Sequence, residues 1–116
     1  AGMGALSELF GRREGLKYHD DIRKALRTVL AADPGYMRGA AQRALGRWYA
    51  TVPAMFGGNR KEAEAYYRAA LGYRPDSVIS LTLYGELLVE LKRPAEARRQ
   101  FEAALAAPAE DDWAPE

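Results

Sequence analysis

The stretch VISLTLYGELLVELKRPAEARRQFEAALAAP, residues 78–108, reads as one complete helical hairpin. Apolar residues recur at helical spacing on both sides of Lys92-Arg93-Pro94. Gly85 on the first helix and Ala97 on the second carry almost no side chain, so the two helices are expected to approach to roughly 8 Å, with Phe101 and Leu105 filling the groove alongside. Lys92 and Arg93 suit the dipole at a helix C-terminus, and Pro94 suits the first turn of the helix that follows. The first helix is apolar nearly all round, and such a helix is buried on more than one side. One side faces its own partner and another the preceding hairpin, while Leu83 and Leu87 are expected to look toward a concave surface or a neighbour.

The order of these residues resembles the tetratricopeptide repeat, W-x2-L-G-x2-Y followed by A-x3-F and a later Pro. Here the positions are held by Leu81, Tyr84, Gly85 and Leu88, then Ala97, Phe101 and Pro108. Working outward, Leu45-Gly46 and Tyr49 stand at the same positions of a preceding helix whose stripe is Ala41, Ala44, Leu45, Trp48, Tyr49 and Val52. Its partner over residues 60–73 carries Ala63, Tyr67, Ala70 and Leu71 on one side. Gly46 to Ala63 spans 17 positions and Gly85 to Ala97 spans 12, so this hairpin holds an insertion, residues 53–58. Pro53 is expected to end or kink the helix and Gly57-Gly58 to turn the chain, leaving Met55 and Phe56 on a loop.

Further upstream, Ile22, Ala25, Leu26, Val29 and Leu30 form a one-sided stripe that stops at the turn Asp33-Pro34-Gly35. Residues 11–18 are expected to be a basic connection, with Asp20-Asp21 opening the helix after it, and residues 3–10 to be the end of an earlier helix. The organisation is thus one domain: a partial hairpin over 1–37, a hairpin with its insertion over 38–77, a regular hairpin over 78–108 and an acidic tail over 109–116. By the repeat resemblance the expected fold is all-α, a right-handed α-α superhelix of about three hairpins, the first partial. The tail offers no polar cap for the last repeat, so this end is expected to continue into a further helix or to meet another protein.

Composition narrows the function. Of 116 residues 48% are apolar and 28% charged, with no Cys, one His and a net charge of +1, which describes a small domain with a core. Without Cys and with a single His, thiolate nucleophiles, His-based triads and the usual transition-metal sites have no residues to draw on. No catalytic residue, metal or cofactor is expected, and the chain reads as non-enzymatic. Basic and acidic residues are balanced and mixed, which offers no field for nucleic acid. No apolar run approaches the ~20 residues of a membrane span.

Three motifs stand in order: Asp33-Pro34-x-Tyr36, then Arg43-x-Leu45-Gly46-x-x-Tyr49, then Pro53-x-x-x-Gly57-Gly58. Together they resemble the periplasmic T component of the bacterial tetratricopeptide-associated TRAP transporters, over about residues 18–116. The resemblance implies an exported all-α scaffold that binds a solute-receptor subunit and holds a hydrophobic ligand in some members.

Repeat proteins bind through the exposed face of their first helices. That face carries Arg43 and Arg47 on one first helix and Thr82, Glu86 and Glu90 on the next. Either Arg43 and Arg47 receive an acidic segment of a protein partner, or they belong to a solvated face on which Arg47 pairs with Glu86. Met55, Phe56, Leu83 and Leu87 are the candidates for apolar docking or for a hydrophobic ligand, whereas Trp48 and Tyr49 read as core. Gly57-Gly58-Asn59-Arg60-Lys61 lacks phosphate-loop spacing and is a turn. Two further readings stand beside the periplasmic scaffold: a carrier of hydrophobic small molecules, and a cytoplasmic adaptor or co-chaperone. Exposed Leu83 and Leu87 would also drive homo-oligomerisation.

Overall fold

The computed structural model describes residues 13–108. The expected helix over residues 3–10 and the tail over 109–116 lie outside them. Five α-helices follow one another: α1 (Arg13–Ala32), α2 (Ala40–Thr51), α3 (Arg60–Tyr73), α4 (Val78–Glu90) and α5 (Pro94–Ala106). Single 3-10 turns, Tyr36–Arg38 and Ala54–Phe56, flank α2. The fold is all-α, a stack of helical hairpins in which α2 pairs with α3 and α4 with α5, while α1 lies against α2.

The two complete hairpins are closed by one device. The ring of Tyr67 lies over Gly46, where a Cβ would come within 2.6 Å of it, and the ring of Phe101 lies over Gly85, where a Cβ would come within 2.5 Å. Ala63 and Ala97, four residues before each ring, are both buried. Leu45, Tyr67, Tyr84, Leu87 and Leu88 join them in a single core running through both hairpins.

Several expectations need correction. Residues 13–18 are not a connection but the first described turns of α1, which is 20 residues long. Arg, Glu, Leu and Lys are strong helix formers, and one glycine in a helix interior costs only about 1 kcal/mol. Asp20 therefore sits inside the helix, where it meets Arg23 at 2.5 Å and Lys24 at 3.1 Å. The first helix of the second hairpin begins at Ala40, one residue before its apolar stripe and not at the expected 38, because Met37, Arg38 and Gly39 take positive φ values of 45, 56 and 97°. That left-handed turn precedes α2. Leu105 does not fill the groove beside Phe101; it is 88% exposed, because the inward face of α5 runs through Ala97, Phe101 and Ala104 and leaves Leu105 outside. Leu87 is not exposed at all: with 2% of its surface accessible it is core, and Leu83 is half-buried against the same cluster. The apolar side chains that this hairpin does expose are Val78, Val89 and Leu105.

Lys92 ends α4 in a Schellman arrangement: its N–H bonds to Val89 O at 3.1 Å and that of Arg93 to Leu88 O at 2.9 Å. The motif requires the left-handed conformation, and Lys92 adopts it at φ 63°. Glycine takes this conformation without a Cβ penalty. Lys92→Gly is therefore expected to stabilise the protein by about 0.5–1 kcal/mol, read as a higher urea midpoint at unchanged slope; a lower midpoint would show that the lysine contributes something the cap does not need.

Candidate partner-binding groove

The concave face is built on α2 because Pro53 ends that helix and the insertion turns the chain back to α3. Gly58 makes the turn tight enough, since a Cβ there would sit 1.6 Å from the carbonyl oxygen of Val52. The side chain of Asn59 then caps α3, accepting from the N–H groups of Lys61 and Glu62 at 2.9 and 3.1 Å. Helix α1 fixes α2 from the other side. Trp48 Nε1 donates to the carbonyl of His19 at 2.8 Å, the Arg23 guanidinium lies 5.1 Å from the Trp48 ring, and Arg27 donates to the Tyr49 hydroxyl. Trp48 and Tyr49 are buried, as their place on the apolar stripe required.

Between α2 and α4 this leaves a hollow of about 200 Å³ lined by Arg47, Ala50, Thr51, Tyr67, Leu83, Glu86, Leu87 and Glu90. Five of the nine side chains singled out from the sequence thus meet in one place: Arg47, Glu86 and Glu90 with Leu83 and Leu87. Arg43 and Thr82 are half-buried and lie one turn earlier on the same two helices, outside the hollow. Glu90 is held by Arg60 at 3.4 Å. Arg47 and Glu86 are exposed, and among the described residues neither takes part in an ion pair, so the expected Arg47–Glu86 bridge is not formed. Thr51 directs its hydroxyl to the carbonyl of Arg47 at 2.8 Å and is committed to its own helix.

A second, open hollow of about 460 Å³ adjoins the first, sharing Ala50 and Thr51, and is bounded by Tyr49, Val52, Pro53, Ala54, Gly58, Asn59 and Arg60. Met55 and Phe56 line neither hollow. Met55 is 82% exposed on the insertion, and Phe56 turns inward to pack against the core. The four apolar candidates therefore do not share a cavity.

Tyr67 is the groove residue that sequence reading left in the core. It is only 2% exposed, yet it lines the hollow, and its hydroxyl bonds to no other described residue. Burial pushes that hydroxyl up to about 12; Glu86 and Glu90 add to the rise and Arg47 opposes it. At neutral pH it is an uncharged donor. The signal was available: the repeat pattern has Phe at this position, and tyrosine adds a hydroxyl that packing on Gly46 does not use.

On the opposite side, α3, α4 and α5 are joined through Glu64. Arg93 Nη1 and Nη2 approach its carboxylate at 3.0 and 2.9 Å, the Tyr84 hydroxyl donates to it at 2.6 Å, and Arg93 also grips Glu96 through Nε at 2.6 Å. Arg93 thus cross-links two hairpins, a larger role than the helix-dipole one expected. Its guanidinium holds both carboxyls below their ordinary value, with the Tyr84 hydrogen bond helping at Glu64. The sign follows from linkage: an unfolded Glu takes up its proton near 4.5, before the folded one, so the stability these groups contribute is complete above that value and is lost as pH falls through their lower folded values. The melting temperature is expected to drop between about pH 5 and about pH 3, and to drop less in Glu64→Gln. Equal slopes for the two proteins would remove Glu64 from the acid response.

The family model for the TRAP transporter T-component matches residues 13–114, nearly the whole chain. The chain belongs to that family. No curated protein matches it. In this T-component the match takes in every described helix, and the three motifs that resemble the family lie before, within and after α2. Pro34 O accepts from Gln42 Nε2 at 2.6 Å ahead of α2, Leu45 and Gly46 close the first complete hairpin, and Pro53 to Gly58 form the insertion. T-components are associated with the periplasm and with the proteins of a TRAP transport system. No described helix of this one is long and apolar enough to cross a membrane.

Proposed function

We propose that this T-component is a non-enzymatic scaffold in the periplasm that binds the solute-receptor subunit of its TRAP system through the concave face between α2 and α4. The observation that carries the reading is Arg47 beside an apolar floor: a cation held at the rim of a groove, without an ion-pair partner among the described residues, is suited to a protein surface that brings the opposite charge. The hollow of about 200 Å³ is smaller than the ~300–1,000 Å³ of pockets that enclose a ligand molecule, and the adjoining one of about 460 Å³ is open to solvent as it is; open hollows of this kind favour side chains of a partner over an enclosed solute. Affinity capture of the native protein from a periplasmic fraction, with mass spectrometry of what is retained, tests the assignment. Recovery of a solute-receptor subunit is expected. Recovery of cytoplasmic proteins alone would end the transport reading in favour of a general adaptor.

A further inference from the structure

Three groups of different chemistry converge on the groove between α2 and α4. Arg47 stands on one wall and Glu86 on the other, both exposed and both without an ion-pair partner among the described residues. Tyr67 lies between them at the base, buried, with a hydroxyl that no other described residue engages. Its oxygen opens onto the groove, where water satisfies it until a partner arrives, whereas the phenylalanine of the repeat pattern would pack on Gly46 and offer the groove no donor. Ala50, Leu83 and Leu87 complete the lining with apolar surface. The volume, about 200 Å³, equals that of about seven waters at liquid density, which is room for one or two side chains.

We propose that this groove recognises a peptide segment of its protein partner by a three-part code: a carboxylate received by Arg47 and the Tyr67 hydroxyl, a neighbouring apolar side chain set against Leu83 and Leu87, and a basic side chain received by Glu86. Tyr67 is the specificity-determining residue. A carboxylate is a stronger acceptor for the Tyr67 hydroxyl than the water it replaces, and Arg47 supplies the charge that holds it there. Glu86 sets the polarity of the site, since a uniformly acidic segment would be received at Arg47 and repelled at Glu86. The inference rests on the concave face being the docking surface, and adds what the docked segment looks like.

A phage-displayed library of 12-residue peptides, selected on the immobilised full chain, tests the code without assuming which protein is the partner. Enriched peptides are expected to carry Asp or Glu, a large aliphatic or aromatic residue, and Lys or Arg, close together. Synthesised singly, the best of them should bind Tyr67→Phe about tenfold more weakly, the loss of one charge-assisted hydrogen bond. Tyr67→Phe keeps its ring on Gly46, so its melting temperature should match that of the unaltered protein, which separates recognition from folding. Selection on Glu86→Lys should exchange the basic residue for a second acidic one. Failure to enrich peptides over an Arg47→Glu, Glu86→Lys double variant, or peptides that bind Tyr67→Phe equally well, would overturn the code. Enrichment of the expected peptides with no binding to a solute-receptor subunit would end the transporter-scaffold reading and keep the code. Receptor binding with no enriched peptide would do the reverse.

Discussion

Gly46→Ala is expected to destabilise the protein by about 2 kcal/mol, and Gly85→Ala by much less, although the two glycines occupy equivalent places in the two hairpins. The difference lies in what each added methyl would meet. At Gly46 it would come within 2.6 and 2.7 Å of the Tyr67 ring and within 3.2 Å of the carbonyl oxygen of Ala63. Neither can yield, for the ring is packed between hairpins at 2% exposure and the carbonyl belongs to the backbone of α3. Overpacking against two unyielding neighbours at once costs about 3 kcal/mol, the upper end of the usual range, and the gain of about 1 kcal/mol from replacing a helical glycine by alanine offsets only part of it. At Gly85 the nearest atoms all belong to the ring of Phe101, which is half-buried. That ring can swing outward, so the helix-propensity gain nearly balances the clash and the net effect is within about 1 kcal/mol of zero. Thermal unfolding followed by circular dichroism should place Gly46→Ala on the order of 10 °C below the unaltered protein, with Gly85→Ala close to it. Equal losses at both positions would show that α5 is held as firmly as α3.

That contrast also marks how far the sequence could be read. Gly85, Ala97 and Phe101 are spaced as a hairpin must space them, and the same order at Gly46, Ala63 and Tyr67, with five more positions between the helices, located the other hairpin and its insertion. These are contacts between residues a fixed number of turns apart, which periodicity records directly. Contacts between hairpins are not recorded that way. Nothing in the spacing of α4 says how far the α2–α3 hairpin reaches around it, so Leu87 seemed available to a neighbour when the Tyr67 side of that hairpin already covers it. Arg93 looked like a helix-end charge because its partner Glu64 lies 29 positions away, on α3. The basic stretch before Asp20 read as a connection because its glycine and charges resemble one, while a long amphipathic helix absorbs a single glycine readily. The groove was half legible. Arg47, Glu86 and Glu90 follow from the exposed face of first helices, but which of them stays unpaired depends on Arg60, which the insertion brings to Glu90 and away from Glu86.

The second large effect is expected at Arg47. Reversing its charge leaves the core untouched, since the side chain is exposed and holds no ion pair among the described residues; surface substitutions of that sort usually change stability by no more than ~0.5 kcal/mol. Its effect on binding should be far larger. Arg47→Glu puts two carboxylates across the groove from one another, with Glu86 opposite, and removes the cation that receives the partner. Loss of a charge-assisted contact together with like-charge repulsion at a partly desolvated site costs several kcal/mol, on the order of a hundredfold or more in affinity. Arg43→Glu, one turn outside the hollow, should weaken binding only modestly, through the long-range field and in a salt-dependent way.

The most direct test is to titrate the purified protein and its Arg47→Glu variant with the solute-receptor subunit of the same TRAP system by isothermal calorimetry, with melting curves recorded for both. A saturable heat of binding for the unaltered chain, lost on charge reversal while the melting temperature stays the same, is what a partner-binding groove between α2 and α4 predicts. Binding of equal strength by both proteins would place the interface elsewhere on the molecule and contradict it.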